Sequence, residues 1–377
     1  MRMDSKEWAE ALLEKIDSKI NVVAGRNRSR IPYTTDQEGH WDDRSSCKDI
    51  GWWTNGFWGG LLWQLYEYSG NELYREEAVC NEKLLDTCFL NYSMLDHDNG
   101  FRWLPTAVAH YRRDGNSVSL NRGLLAASHL AGRYNTDGGF IRAWNPFDGE
   151  EHTGWAIIDC LMNLPLLYWA SDVTGDPRFR QIAVHHADKA LNEFLRPDGS
   201  AVHIAVFDTA TGEKLGTKGG QGYAEGSSWS RGQAWALYGF MLSYLHTGDE
   251  EYHQASKRSA NYFIANVPES GLVPVDFRQP LDDSSEDSTA AAIAACGLIE
   301  LAKRETGRDR NAYLAAALKL LETLADKRAD FSTAQDNLIN GGSVAYHSSE
   351  QDMAIIYGDY YFVEALMKLA GKEFFIW

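Results

Sequence analysis

The pattern that most constrains this chain is a recurring unit: an apolar helical run, a glycine-centred turn, and a second, more polar helical run. It is read in LLWQLYEYSGNELYREEA, HYRRDGNSVSLNRGLLAA, LLYWASDVTGDPRFRQIA, MLSYLHTGDEEYHQAS and LIELAKRETGRDRNAYLAAA, and a sixth turn falls in LMKLAGKEFF. The turn glycines are Gly70, Gly115, Gly175, Gly248, Gly307 and Gly371, 45 to 73 residues apart. Glycine suits the left-handed residue that ends a helix, and the polar residues behind it start the next one. The spacing is too uneven for a regular solenoid and fits helical hairpins with variable loops. Six apolar helices alternating with six polar ones predict an all-α fold, an (α/α)6 barrel of six helical hairpins in two concentric rings. The inner helices are expected near 56–69, 102–113, 155–173, 230–246, 287–305 and 353–370. Nothing divides the chain, so residues 1–377 are expected to form a single domain. The competing arrangement is an open superhelix, which needs polar caps at its ends.

The unusual residues collect in the long connections that lead into the inner helices. These carry GWWTNGFW (51–58), LDHDNGFRW (95–103), DGGFIRAWNP (137–146) with HTGWAIID (152–159), GQGYAEGSSWSRGQAW (220–235), DDSSEDST (282–289) and SSEQDMAIIYGDYY (348–361). In a toroid they converge on one mouth. Trp, Gly, Asp and Arg gathered there suit a carbohydrate pocket, where aromatic faces stack on sugar rings and carboxylates do acid–base work. Residues 199–220 alternate apolar and polar around a DTATG turn and predict a small β-hairpin at the rim.

Within this frame the stretch GWAIIDCLMNLPLLYWA (154–170) stands apart, because an almost wholly apolar run carries one carboxylate, Asp159, with Asn163 four residues on. On a helix the two polar groups would share a face. Desolvation raises a carboxyl pKa and lets the acid donate a proton near neutrality. The plain alternative is a buried Asp that satisfies nearby backbone groups. Asp98, in a D-x-D-N-G run, is read either as its partner across the mouth or as a turn residue. Arg231 lies in the first turn of an inner helix, where the dipole disfavours a cation. That placement suggests a ligand anion, with an ion pair to Glu225 as the structural alternative. Trp52, Trp58 and Trp63 are expected in the core, and His185, His186 and His246 at the surface.

Composition narrows the function classes. A net charge of −17 with no basic block argues against nucleic acid or an anionic membrane as partner. No run is long enough to span a bilayer, and the first twenty residues read as an amphipathic helix rather than a signal segment. Five scattered cysteines, Cys47, Cys80, Cys88, Cys160 and Cys296, offer no zinc spacing and fit a reducing cytoplasm. No metal constellation or phosphate loop is found, so no cofactor is expected.

Several motifs together, WTNGFWGGLLWQLYEYSG, LDHDNGF, AIIDCLMNLPLLYWA, SSWSRGQAWALYGF and IYGDYYFVEAL, resemble the unsaturated glucuronyl hydrolases of glycoside hydrolase family 88. The resemblance runs in order from about residue 50 to 370. It implies the same barrel and the removal of a 4,5-unsaturated uronic acid from the non-reducing end of lyase-made oligosaccharides. It further implies that Asp159 is the general acid/base and that Asp98 assists. Trp53 and Trp144 would stack the flat sugar ring, and His203 and Gln221 would contact sugar or water. Arg231 would meet the substrate carboxylate, with Trp235 beside it. Gly220 departs from relatives that carry a His before the Gln. The loop GGSVAYHSSEQD (341–352) lacks the Lys of sulfate-preferring relatives, so unsulfated substrates are expected to be turned over faster. The rivals are an unsaturated rhamnogalacturonyl hydrolase, an N-acylglucosamine epimerase-like isomerase, which would want two histidines, and a sugar-binding toroid without chemistry. The last is favoured if Asp159 has no route to water. Parent polysaccharide and oligomeric state are not encoded in any motif.

Overall fold

A computed structural model describes residues 4–46, 48–146 and 149–377. The inner ring is built from α2 (Phe57–Ser69), α4 (Asn99–Trp103) running through a π turn into α5 (Ala109–Asp114), α7 (Leu164–Thr174), α9 (Ser230–Thr247), α11 (Ser288–Arg304) and α13 (Ile356–Ala370). Helix α13 packs back on α2 and closes the toroid. Outside it lie α3 (Glu72–Leu84), α6 (Ser117–Ala131), α8 (Pro177–Glu193), α10 (Glu250–Asn266) and α12 (Gly307–Lys327). The fold is the (α/α)6 barrel read from the hairpin pattern. Inner helices such as α9 and α11 are buried nearly all round, whereas the outer ones bury one stripe.

The turns work as the sequence implies. All six turn glycines have φ between +57° and +74°. After four of them an Asn or Asp caps the next helix: Asn71, Asn116, Asp176 and Asp249 each accept a backbone N–H of the first turn.

Several expectations are corrected. The sixth hairpin is not continued beyond Gly371, and residues 372–377 tuck under the barrel with Trp377 stacked on Tyr361. The sixth outer position is taken by α1 (Ser5–Arg26), which packs on α13. The third inner helix starts at Leu164 rather than 155, because Pro165 sits in its first turn and defines the start. Ahead of it come strand β3 (Trp155–Ile157) and a 3-10 turn (Ile158–Met162). The rim hairpin, β4 (Ile204–Phe207) with β5 (Lys214–Lys218), gains β3 as a third antiparallel strand, so the apolar residues before Asp159 are held in a sheet. Trp58 and Trp63 are core, but Trp52 is 39% exposed, edge-on to Tyr33. His186 is buried and accepts the Ile141 N–H, and His246 stacks on Tyr168; only His185 is a surface residue. Cys80, Cys88, Cys160 and Cys296 are free thiols, and Cys47 lies outside the described residues. Among the described residues no helix is long and apolar enough to cross a membrane.

Candidate active site

The two acids reach one place from different turns. Asp98 immediately precedes α4, with its own N–H on Oδ1 of Asp96 at 2.9 Å. The buried Arg102 binds Asp96, the carbonyls of Met94 and Gly51, and Oδ1 of Asn99, so one guanidinium joins the Asp98 loop to the loop bearing Trp53. Asp159 projects from the 3-10 turn rather than from a helix. Gly100 lets the two turns meet: a Cβ there would lie 2.5 Å from the Cα of Asn163.

Electrostatics separates these acids from ordinary carboxylates. Desolvation pushes Asp159 up to about 7, partly offset by the positive charge of Arg231. Asp98 is raised well above the usual range by desolvation, then by the charges of Asp96 and Asp159. Oδ1 of Asp159 is buried without a hydrogen-bond partner, while the side chain as a whole keeps 16% exposure, so solvent reaches the group on another side. The condition favouring an inert toroid is therefore not met.

His203 faces Asp159, with Nε2 4.0 Å from Oδ1. Its Nδ1 lies 3.2 Å from the Gly219 carbonyl and 3.0 Å from the Gln221 N–H. The shorter contact comes from a group that can only donate, so Nδ1 accepts and the proton resides on Nε2, toward Asp159. Burial pushes this imidazole down to about 3 and keeps it neutral. Gly220 has φ +58°, and a Cβ there would stand 2.1 Å from Nδ1 of His203. A histidine at 220 would displace His203 in this backbone, which gives the departure from relatives a local cause.

The remaining expected contacts divide. Trp53 is half-buried against Tyr357, at 5.0 Å between ring centres, and Phe101, at 5.4 Å. Trp144 is half-buried 5.9 Å from Trp155, over a small apolar cluster of Ala143, Ile157 and Ile204 on the rim sheet. Gln221 donates its side-chain amide to the Val344 carbonyl at 2.6 Å, bracing the C-terminal loop. Arg231 has protein partners, and its charge acts on Asp159. Its guanidinium is 1% exposed, paired with Asp287 rather than Glu225, and donates to the carbonyls of Ser343 and Val344 at 2.6 and 2.7 Å. Trp229 and Tyr357 cover it. The alternative of a structural ion pair was right in kind and wrong in partner. Trp235 is fully buried between Phe101 and Tyr361, one turn deeper along α9 than Arg231, in the barrel packing.

Sequence reasoning missed Asp287, Tyr357, Trp229 and His97. Trp229 stands inside SSWSRGQAW and packs on His203 at 4.3 Å, so the motif itself held the signal. Nothing local marks Asp287 as the partner of a residue 56 positions earlier.

A helical toroid with two desolvated acids and aromatic walls at its mouth defines a carbohydrate-processing enzyme. The chain belongs to Glycosyl Hydrolase Family 88, whose profile matches residues 16–374. It is similar to the unsaturated glucuronyl hydrolase of Bacillus sp. (strain GL1), 40% identical over 84% of this chain and 86% of that one. It is also similar to the unsaturated chondroitin disaccharide hydrolase of Streptococcus pneumoniae, at 36% identity over 84% and 81%. The solved unsaturated glucuronyl hydrolase of Streptococcus agalactiae superposes with a TM-score of 0.90 at 32% identity, covering 100% of this chain and 95% of that one.

Proposed function

We propose that this glycoside hydrolase removes a 4,5-unsaturated uronic acid from the non-reducing end of lyase-generated glycosaminoglycan or related oligosaccharides. The observation that carries the reading is Asp159: a carboxyl at the mouth, raised to about 7, with one oxygen unpartnered and a face open to solvent. Such a group is part-protonated at neutral pH and can serve as acid and then as base.

The substrate holds a C4=C5 enol ether. Asp159 transfers its proton to C4, the C4=C5 electron pair forms the new C–H bond, and positive charge spreads over C5 and the ring oxygen. The Asp159 carboxylate then takes a proton from water as that oxygen bonds to C5. The hemiketal so formed opens and rearranges, releasing the rest of the chain, and Asp159 is protonated again. Asp98 assists from across the pocket, and Nε2–H of His203 directs the water or the carboxylate. Trp53 and Trp144 provide faces for the planar ring. Arg231 and Gln221 act through the Ser343–Val344 segment that they hold, a role we favour over direct capture of the uronate carboxylate by Arg231. We further read the chain as one catalytic domain working in the cytoplasm, to which its free thiols are suited.

The test is turnover of an unsaturated uronyl disaccharide, followed by loss of the enol absorbance. The parent is expected to consume it, and Asp159→Asn to lose about a thousandfold or more in kcat with substrate binding retained. An Asn variant keeping a tenth of the parent rate contradicts the assignment.

A further inference from the structure

Between the two acids lies a side chain that the mechanism above does not use. Asn163 is fully buried, and each half of its amide is committed. Its Oδ1 accepts the Phe101 N–H at 2.8 Å. A backbone N–H can only donate, so the amide orientation is fixed and Nδ2 faces the acids. One contact of Nδ2 goes to Oδ1 of Asp98 at 3.3 Å and the other to the carbonyl of Asp159 at 3.2 Å.

We propose that Asn163 is a positioning residue of the reaction, tying the Asp98 carboxyl to the turn that carries Asp159 and leaving Oδ2 as the oxygen on which Asp98 holds its proton. This rests on the reading in which Asp98 and Asp159 are the working acids. The geometry supplies the reason. Oδ1 of Asp98 receives an N–H and remains an acceptor, whereas Oδ2 lies 3.5 Å from Nε2 of His97, a neutral imidazole that burial pushes down to about 3. The same amide bridges two turns 65 residues apart in sequence, so the separation of the acids depends on it. Gly100 makes this approach possible, because a Cβ there would lie 2.5 Å from the Cα of Asn163 and 2.6 Å from its Oδ1. The charged or titratable groups around Asp98 are Asp96, Asp159, Arg102, His97 and Cys160, and none of them donates to Oδ1.

Asn163→Asp separates positioning from packing. It keeps an oxygen for the Phe101 N–H but, once ionised, cannot donate to Asp98. At pH 7.5 kcat should fall about a hundredfold with KM within about threefold, since a small misplacement of a reacting group costs that much. At pH 5 the new carboxyl takes up a proton and can donate again, so the deficit should narrow to less than about tenfold. A loss that is equal at both pH values, a change confined to KM, or retention of more than half the parent kcat overturns the proposal.

A second measurement needs no substrate: titration of the Asp98 carboxyl carbon by NMR in the parent and in Asn163→Ser. Removing a donor to the ionised form should move the Asp98 midpoint upward, and an unchanged midpoint overturns the contact. A parent that ignores unsaturated disaccharides would instead end the functional reading, a result the titration does not depend on.

Discussion

Asp159, half-buried, and Asp359, fully buried, are two carboxyls that desolvation pushes to the same place, about 7, yet they sit in opposite surroundings. Asp359, in the first turn of α13, accepts the N–H groups of Leu338 at 2.8 Å and Ile339 at 2.9 Å. It anchors the incoming loop, and both of its oxygens are used. Asp159 has an oxygen with no partner. The base of the barrel repeats the first arrangement: Lys368 binds Glu300 at 2.7 Å and Glu373 at 2.9 Å, and Glu364 accepts the Trp377 indole N–H at 2.7 Å. A raised pKa therefore does not mark a working acid in this molecule. What distinguishes Asp159 is an unsatisfied oxygen on a side chain that solvent still reaches, and on that difference rests the proposal that it is the working acid.

The sharpest way to break the contrast is to make the same substitution at both sites. Asp159→Asn should cost about a thousandfold or more in kcat and leave folding intact. Asp359→Asn should instead cost about 1–3 kcal/mol of stability, because an amide cannot accept from both N–H groups. Its kcat, measured on folded protein, should stay within about threefold. Chemical denaturation and initial rates on the two variants decide it, and interchanged effects would refute the comparison.

A smaller effect is expected at Arg231. Arg231→Lys should raise KM about tenfold, since a single ammonium nitrogen lacks the planar fork that reaches Asp287 and the Ser343 carbonyl from one nitrogen and the Val344 carbonyl from the other. Substrates with and without the uronate carboxylate should lose comparable affinity if Arg231 acts through the 343–344 segment. A loss confined to the carboxylate-bearing substrate would restore direct capture.

The smallest effect is in pH-dependent stability. Unfolded, the Asp159 carboxyl ionises near 3.8; folded, it keeps its proton to about 7. The folded state thus binds more protons within that window, and its stability falls as pH rises from about 4 to 7, then levels off. Asp159→Asn lacks this dependence. It should match the parent near pH 4 and exceed it at pH 8, by on the order of 1 kcal/mol given the solvent at its exposed face. Thermal melts of both proteins across this range check the sign.

Legibility in the sequence followed the range of the forces. The hairpins were readable because glycine, the Asn or Asp cap and the apolar face lie within a few residues of one another. The turn at Asp159 was misread as helix because β3 is specified by its pairing with β4, some 50 residues later, although Pro165 offered a local warning. The motif order singled out Asp98 and Asp159, and the structure brings these two acids together. The partner of Arg231 and the burial of Trp235 were not legible, since both depend on how distant helices and loops close around them.

The central claim is that Asp159 protonates a carbon, and solvent isotopes test it most directly. Turnover in deuterated water should place deuterium at C4 of the released uronate, and water enriched in heavy oxygen should label C5. The enol absorbance should vanish in step with release of the remaining sugar. Heavy oxygen found only at C1, with the double bond surviving in the first-formed product, would contradict the account.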